Sequence, residues 1–236
     1  FLLTGSANVL LLPALADSLA GRMEILSLWP LSGGEMAGDA LFNRADFLFD
    51  GALGAVSLPV CNREDLVERM LQGGFPEAVS RPSAKRRSAW FESYLQTVLQ
   101  RDVRDLANLE QLTEVPHLLQ LLATRSASLL NQAEISRASR LTQTTLKRYL
   151  SLLETLFLVL RVPAWARNPG KRLVKAPKVF LPDTGLLSWL LDLSAEKMLA
   201  LPGLPGQLVE TYVACELLKH LAFTDKGLSL WHYRTQ

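Results

Sequence analysis

Apolar residues recur along the chain at changing intervals, and each change of interval predicts a new element. Leu146, Tyr149, Leu150, Leu153 and Phe157 return every three or four positions, which gathers them on one face of a helix capped by Thr142. Gln143, Thr144, Thr145, Lys147, Arg148 and Ser151 fall on the opposite face. Upstream, Asn131 is an N-cap type and Glu134 stands where it can reach back to its amide, so a short helix is expected from Gln132 to about Ala138. Ser139, Arg140 and Leu141 make the turn between the two. Downstream, Leu156 to Val162 is rich in strand formers, Asn168-Pro169-Gly170 signals a turn, and Leu173 to Leu181 returns as a second strand. This order predicts a winged helix-turn-helix. Amides, hydroxyls and cations at the start of the second helix are what a recognition helix needs to reach base edges in a major groove, and the hairpin is the wing.

The flanking pattern is mostly helical. Phe1 to Thr4 reads as an apolar strand ending in Gly5-Ser6-Ala7-Asn8, with helical character from Val9 to Leu19, the arrangement of a parallel α/β sheet edge. Arg63 to Gln72 has helical spacing and is broken by Gly73-Gly74-Phe75-Pro76. A long amphipathic helix is expected over about Ser88–Leu106. Near its end Asp102 and Asp105 can pair with Arg101 and Arg104; the alternative is that one of these arginines touches nucleotide or nucleic acid. Val115 to Thr124 is a further apolar helix. Asp183 caps a helix over Leu186–Leu193, Asp192 to Gly206 is a loop, Leu208 to Leu221 is helical, and Leu228 to Tyr233 alternates as a strand.

Charge sharpens the central reading more than composition does. The 236 residues are 49% hydrophobic and 20% charged, with a formal net charge of +2, which describes a folded chain of one large or two to three small domains. Between Thr155 and Pro182, however, there is no Asp or Glu, while Arg161, Arg167, Lys171, Arg172, Lys175 and Lys178 are all cationic. Such a surface attracts phosphates in a salt-dependent manner whatever the base sequence. The alternative is a protein contact or a solvated basic hairpin. Cys61 and Cys215 have no CxxC partner, and His117, His220 and His232 lie singly, so no disulfide framework or metal site is expected and a cytoplasmic, reducing setting fits. No apolar run reaches membrane-spanning length; the richest, Val9 to Ala16, contains Pro13. Because the chain opens at Phe1 in mid-strand, it is expected to be a fragment or truncated copy.

Several longer stretches carry a resemblance. LLTGSAN followed by LADSLAGRMEILSLWPLSGGE, then LLQGGFPEAV, WFESYLQTVLQRDVRDL, LLETLFLVLRVPAWARNPGKRLVKAPKVFLPDTGL and LVETYVACELL, resemble in order a bacterial and archaeal family of AAA-type ATPases whose C-terminal half is a domain of unknown function, DUF4143. The resemblance implies a fold that is mostly α with minor β. Residues 1–58 would be the later part of a P-loop α/β nucleotide-binding core, 59–114 a helical lid, 115–182 the winged helix-turn-helix and 183–236 the start of an α/β nuclease-like region. It also implies ATP and Mg as the parent family's cofactors, with Ser6 or Asn8 as a sensor near the γ-phosphate and Arg22 as an arginine finger or phosphate sensor. The alternative reading has Ser6 and Asn8 capping the following helix and Arg22 pairing with Asp17. An arginine finger acting in trans needs a neighbouring subunit, so a homo-oligomer is expected on that condition.

The same comparison shows gaps. A phosphate-binding loop needs GxxxxGK[ST], and the only Gly-Lys pair, Gly170-Lys171, is followed by Arg172 and has Trp165 where the first Gly belongs. Phe47-Leu48-Phe49-Asp50 looks like a strand ending in a metal-binding Asp but sits after the sensor strand. ATP is therefore not expected to bind tightly or to be hydrolysed by these residues alone. Glu210 or Glu216 would be the helix acid of a nuclease-like metal site, whose strand acids have no counterpart before Gln236. The expected interface for nucleic acid, DNA more than RNA, comprises Gln143, Thr144, Thr145, Lys147, Arg148, Arg167, Lys171, Arg172, Lys175 and Lys178. A stand-alone DNA-binding regulator and a protein-interaction scaffold are the rival expectations.

Overall fold

Polar side chains at helix starts do much to set the element boundaries in the computed structural model, which describes residues 4–5, 24–38, 46, 49, 61–102 and 114–234. Ser32 opens α1 (Gly33–Met36) with a capping box: its Oγ accepts from Glu35 N, and Glu35 accepts from Ser32 N. Asn62 caps α2 (Arg63–Gln72) and is followed by α3 (Pro76–Val79), which has Pro at its first turn. Ser83 caps α4 (Ala84–Thr97), which runs on into a wider π turn over Val98–Asp102. The long helix thus starts earlier than the apolar spacing predicts, because the Ser83 cap lies upstream of the first buried residue.

The central region follows in the order α5 (Glu114–Ala123), β1 (Ser128–Leu129), α6 (Gln132–Ser139), α7 (Gln143–Thr155), β2 (Leu160–Val162), α8 (Pro169–Val174) and β3 (Lys178–Phe180). The three strands form an antiparallel sheet in the order β1-β3-β2, with Leu160 opposite Phe180, Val162 opposite Lys178, and Ser128 opposite Val179. Asn131 caps α6 through Glu134 N at 3.2 Å, as expected, but Glu134 turns away and pairs with Arg125 at 2.6 Å instead of closing a capping box. Arg140 ends α6 in the left-handed region at φ 58°, and Thr142 caps α7 through Thr145 N at 3.2 Å. Asn168-Pro169-Gly170 is not a plain hairpin turn: Pro169 begins α8, since its ring presets a helical φ, and the return strand shrinks to Lys178–Phe180.

Asp183 then caps α9 (Thr184–Leu190), Ser194 caps α10 (Ala195–Ala200), and α11 (Gly206–Leu221) follows. The alternating stretch Leu228–Tyr233 is not a strand; His232 alone makes a parallel bridge with Ala164, and its amide donates to Pro163 O at 2.9 Å. One apolar cluster joins Val67 and Met70 of α2, Phe91 of α4, Leu118 and Leu122 of α5, Ile135 of α6, Leu146, Tyr149 and Leu153 of α7, Leu186 of α9 and Met198 of α10. Each fully buried aliphatic side chain contributes about 1.5–3 kcal/mol, so the helices on either side of the sheet are held as one packed body. A smaller cluster of Ala127, Val162, Phe180 and Ala214 seats the sheet against α11. Among the described residues no helix is long and apolar enough to cross a membrane.

Candidate functional site

The polar end of α7 stays open. Leu146, Tyr149, Leu150, Leu152 and Leu153 are buried toward α6 and the core, whereas Gln143, Thr144, Lys147 and Arg148 are exposed and Thr145 is half-buried beside its cap partner Thr142. Phe157, placed on the helical stripe by its spacing, lies beyond the helix end at φ 52° and meets Trp29 edge-on at 5.6 Å. Across the sheet, the connection from β2 to β3 carries the basic residues, and their surroundings differ. Arg167 and Lys175 are exposed. Lys178 pairs with Glu210 of α11, and Arg161 pairs with Glu154 at the end of α7. Arg172 donates to Ala166 O at 2.6 Å and stands over the rings of Trp165 and Trp231 at 5.6 and 5.4 Å. Lys171 belongs to α8, between Gly170 and Arg172. The predicted phosphate-binding set thus divides into exposed cations, on Lys147, Arg167 and Lys175, and cations engaged within the fold, on Lys178 and Arg172.

Lys178 and Glu210 were expected in separate roles, and the structure brings them together as an ion pair between β3 and α11. Glu216 lies deeper. Its Oε2 accepts from Gly33 N at 2.8 Å and its Oε1 from Lys219 Nζ at 2.9 Å, while Lys219 also donates to Leu31 O at 2.9 Å. Among the described residues no three His, Cys, Asp or Glu side chains converge as a metal site. Ser6, Asn8 and Arg22 lie outside the described residues, as does most of Phe47–Asp50.

A polar junction that spacing did not single out links the segment before α1, the α2–α3 break and the C-terminal helices. Asp183 is 1% exposed, accepting from Gly74 N at 2.7 Å and from Leu186 N at 2.9 Å. Leu31 N donates to Gly74 O at 2.7 Å, so the same glycine ties both partners. Burial pushes the Asp183 carboxyl above the ordinary carboxylate range, against the pull of the Gly74, Leu186 and Gly185 amides and of Lys219. For Lys219 burial works against the charged form, but the adjoining Glu216 carboxylate, with Asp183, outweighs it and raises the ammonium's pKa. Burial also drives the Cys215 thiol, which donates to Leu181 O at 3.2 Å, well upward, so it is an inert packing group. The sequence signal that could have revealed the junction is Glu216 and Lys219, three positions apart on one helix face and set among the apolar residues Ala214, Cys215, Leu217 and Leu218.

Comparison with known proteins gives family membership rather than activity. Residues 63–197, more than half of the chain, match the domain of unknown function DUF8612. The chain is 31% identical over its whole length to the uncharacterized proteins Rv2008c of Mycobacterium tuberculosis and Mb2031c of Mycobacterium bovis, and spans 47% of each. No solved structure matches.

Proposed function

The chain belongs to the DUF8612 family, and from that premise we propose that it is the nucleic-acid-binding part of a longer AAA-type ATP-binding protein, engaging duplex DNA in preference to RNA through a winged helix. The order helix, strand, helix, helix, strand, short helix, strand, with the sheet ordered β1-β3-β2, supports reading α5 to β3 as that module, with α8 standing in the connection between the two strands of the wing. The single observation that carries the reading is the open N-terminal end of α7: Gln143, Thr144 and Lys147 are exposed, while the same helix is anchored by a fully buried apolar face. In this reading Gln143 and Thr144 approach base edges, and Lys147, Arg167 and Lys175 neutralise phosphates. The chain's span of 47% of its relatives accords with an ATP-binding portion elsewhere in the protein. The 236 residues contain no phosphate-binding loop, so the reading assigns them no ATP or Mg chemistry.

The test is titration of a labelled mixed-sequence duplex at several salt concentrations, with the wild-type chain beside a Lys147→Ala/Arg167→Ala variant. The wild type is expected to bind, and the variant to show a salt slope shallower by up to about 0.9 for each phosphate that is no longer neutralised. Absence of binding at low salt would transfer the basic face to a protein partner. Unchanged slopes would remove these cations from the interface.

A further inference from the structure

The β2–β3 connection leaves the sheet beside a cleft from which the duplex reading uses Lys175 alone. Ala164 and Trp165 follow β2 after Pro163, Lys175 precedes β3, and His232 arrives from beyond α11 to bridge Ala164, with Trp165 N donating to His232 O at 2.7 Å. Together with Leu129 and Arg234 they line a space of about 310 Å³, at the lower end of the ~300–1,000 Å³ of small-ligand sites. Its chemistry is distinctive. Trp165 is 41% exposed; Arg172, which stands over that ring, and Tyr233, which meets it in an edge-to-face arrangement at 5.7 Å, take no part in lining the cleft. Lys175 and Arg234 are exposed cations, and among the described residues no carboxylate lines the space. His232 Nε2 lies 3.1 Å from Ala176 O; as the donor there, it leaves Nδ1 as a buried acceptor with no partner among the described residues.

An exposed aromatic ring with cations beside it suits a flat ring attached to phosphate. We propose that this cleft takes an unpaired nucleobase stacked on Trp165, with Lys175 and Arg234 holding the adjoining phosphates. It rests on the duplex-binding reading above and deepens it: the chain prefers a duplex bordered by a single strand over an uninterrupted one. Stacking on an aromatic side chain tolerates any base, so the preference is for structure rather than sequence.

The experiment compares fluorescence anisotropy titrations of a blunt duplex and of the same duplex with a single-stranded overhang, using the wild type, Trp165→Ala, Trp165→Phe and Lys147→Ala. The wild type is expected to bind the overhang substrate about tenfold more tightly. Trp165→Ala should abolish that preference while keeping blunt-duplex affinity within about twofold, and Trp165→Phe, which keeps a ring, should restore most of it. Equal wild-type affinities for the two substrates, or a preference that survives Trp165→Ala, overturns the inference. If blunt duplex is bound and Lys147→Ala weakens it with no overhang preference, only the cleft proposal fails; if neither substrate is bound, the duplex reading fails with it. Should Trp165→Ala not fold, Lys175→Ala/Arg234→Ala decides: a larger loss on the overhang substrate supports the cleft, and equal losses on both overturn it.

Discussion

At the scale of single residues, side chains that look equivalent in the sequence do unequal work. Arg172 and Lys175 are both basic and nearly adjacent, yet Arg172 holds Ala166 O and two tryptophan rings while Lys175 is exposed at the cleft. Removing Arg172 would therefore disturb the connection as well as its charge, which makes it a poor probe of phosphate binding. Asp183 is read in the sequence as a helix cap, and it is one, but its second oxygen also satisfies the buried amide of Gly74. Asp183→Ala removes a cap and orphans a buried donor, and should lower the unfolding free energy by about 2–4 kcal/mol, offset slightly by the relief of burying a carboxylate. Urea denaturation checks this. A loss below about 0.5 kcal/mol, the size of an ordinary surface change, would mean that Asp183 does not anchor the junction.

At the scale of elements, the helices legible in the sequence are mostly those marked by both a cap and apolar spacing, whereas the stretch from Asp192 to Gly206, read as a loop, holds α10, whose six residues are too few to show a period. Asn62, Asn131, Thr142 and Asp183 all accept from the amide three positions on, as their residue types predict. The strands were less legible, for strands this short present too few alternations to separate from a loop or a helix start. Leu173 and Val174 look like strand residues but fall in α8 at 88% and 82% exposure, because Pro169 starts a helix before the sheet resumes. Close approaches between elements were not legible at all. A Cβ on Gly185 of α9 would lie 2.6 Å from Gln72 O at the end of α2, whereas one on Gly203 meets nothing within 4 Å. Gly185→Ala should thus destabilise by about 1–3 kcal/mol or more, since backbone cannot yield as a side chain tip does, while Gly203→Ala stays within about 0.5 kcal/mol. Thermal melts of the two variants side by side would show it, and equal melting temperatures would refute the close approach of α9 to α2.

At the scale of the whole molecule, the junction joins residues far apart in the chain through Lys219, Glu216, Gly33, Leu31, Gly74 and Asp183. Its dependence on pH has a defined sign. The Lys219 ammonium has a folded pKa raised above its unfolded value, so its contribution to stability is complete below the unfolded value of ~10.4 and is lost as pH rises through the folded one. The stability gap between the wild type and Lys219→Met should accordingly be constant well below ~10.4 and shrink as pH rises above that unfolded value, measured by denaturation on both sides of it. A gap that widens above it would contradict the raised ammonium.

The sequence by itself determined the helical character of the chain, the caps, the turn before α7, which face of that helix is buried, and the clustering of positive charge after it, because these depend on residue type and local spacing. Only the tertiary structure decided how that charge is spent. Lys178 meets Glu210 and Arg172 meets Trp165 and Trp231 because β3, α8, α11 and the segment at His232 converge, and no local pattern encodes which distant partner a long side chain reaches. The junction and the cleft belong to the same class: each is assembled from residues separated by long stretches of chain, and each exists only once the shared core has brought the helices together.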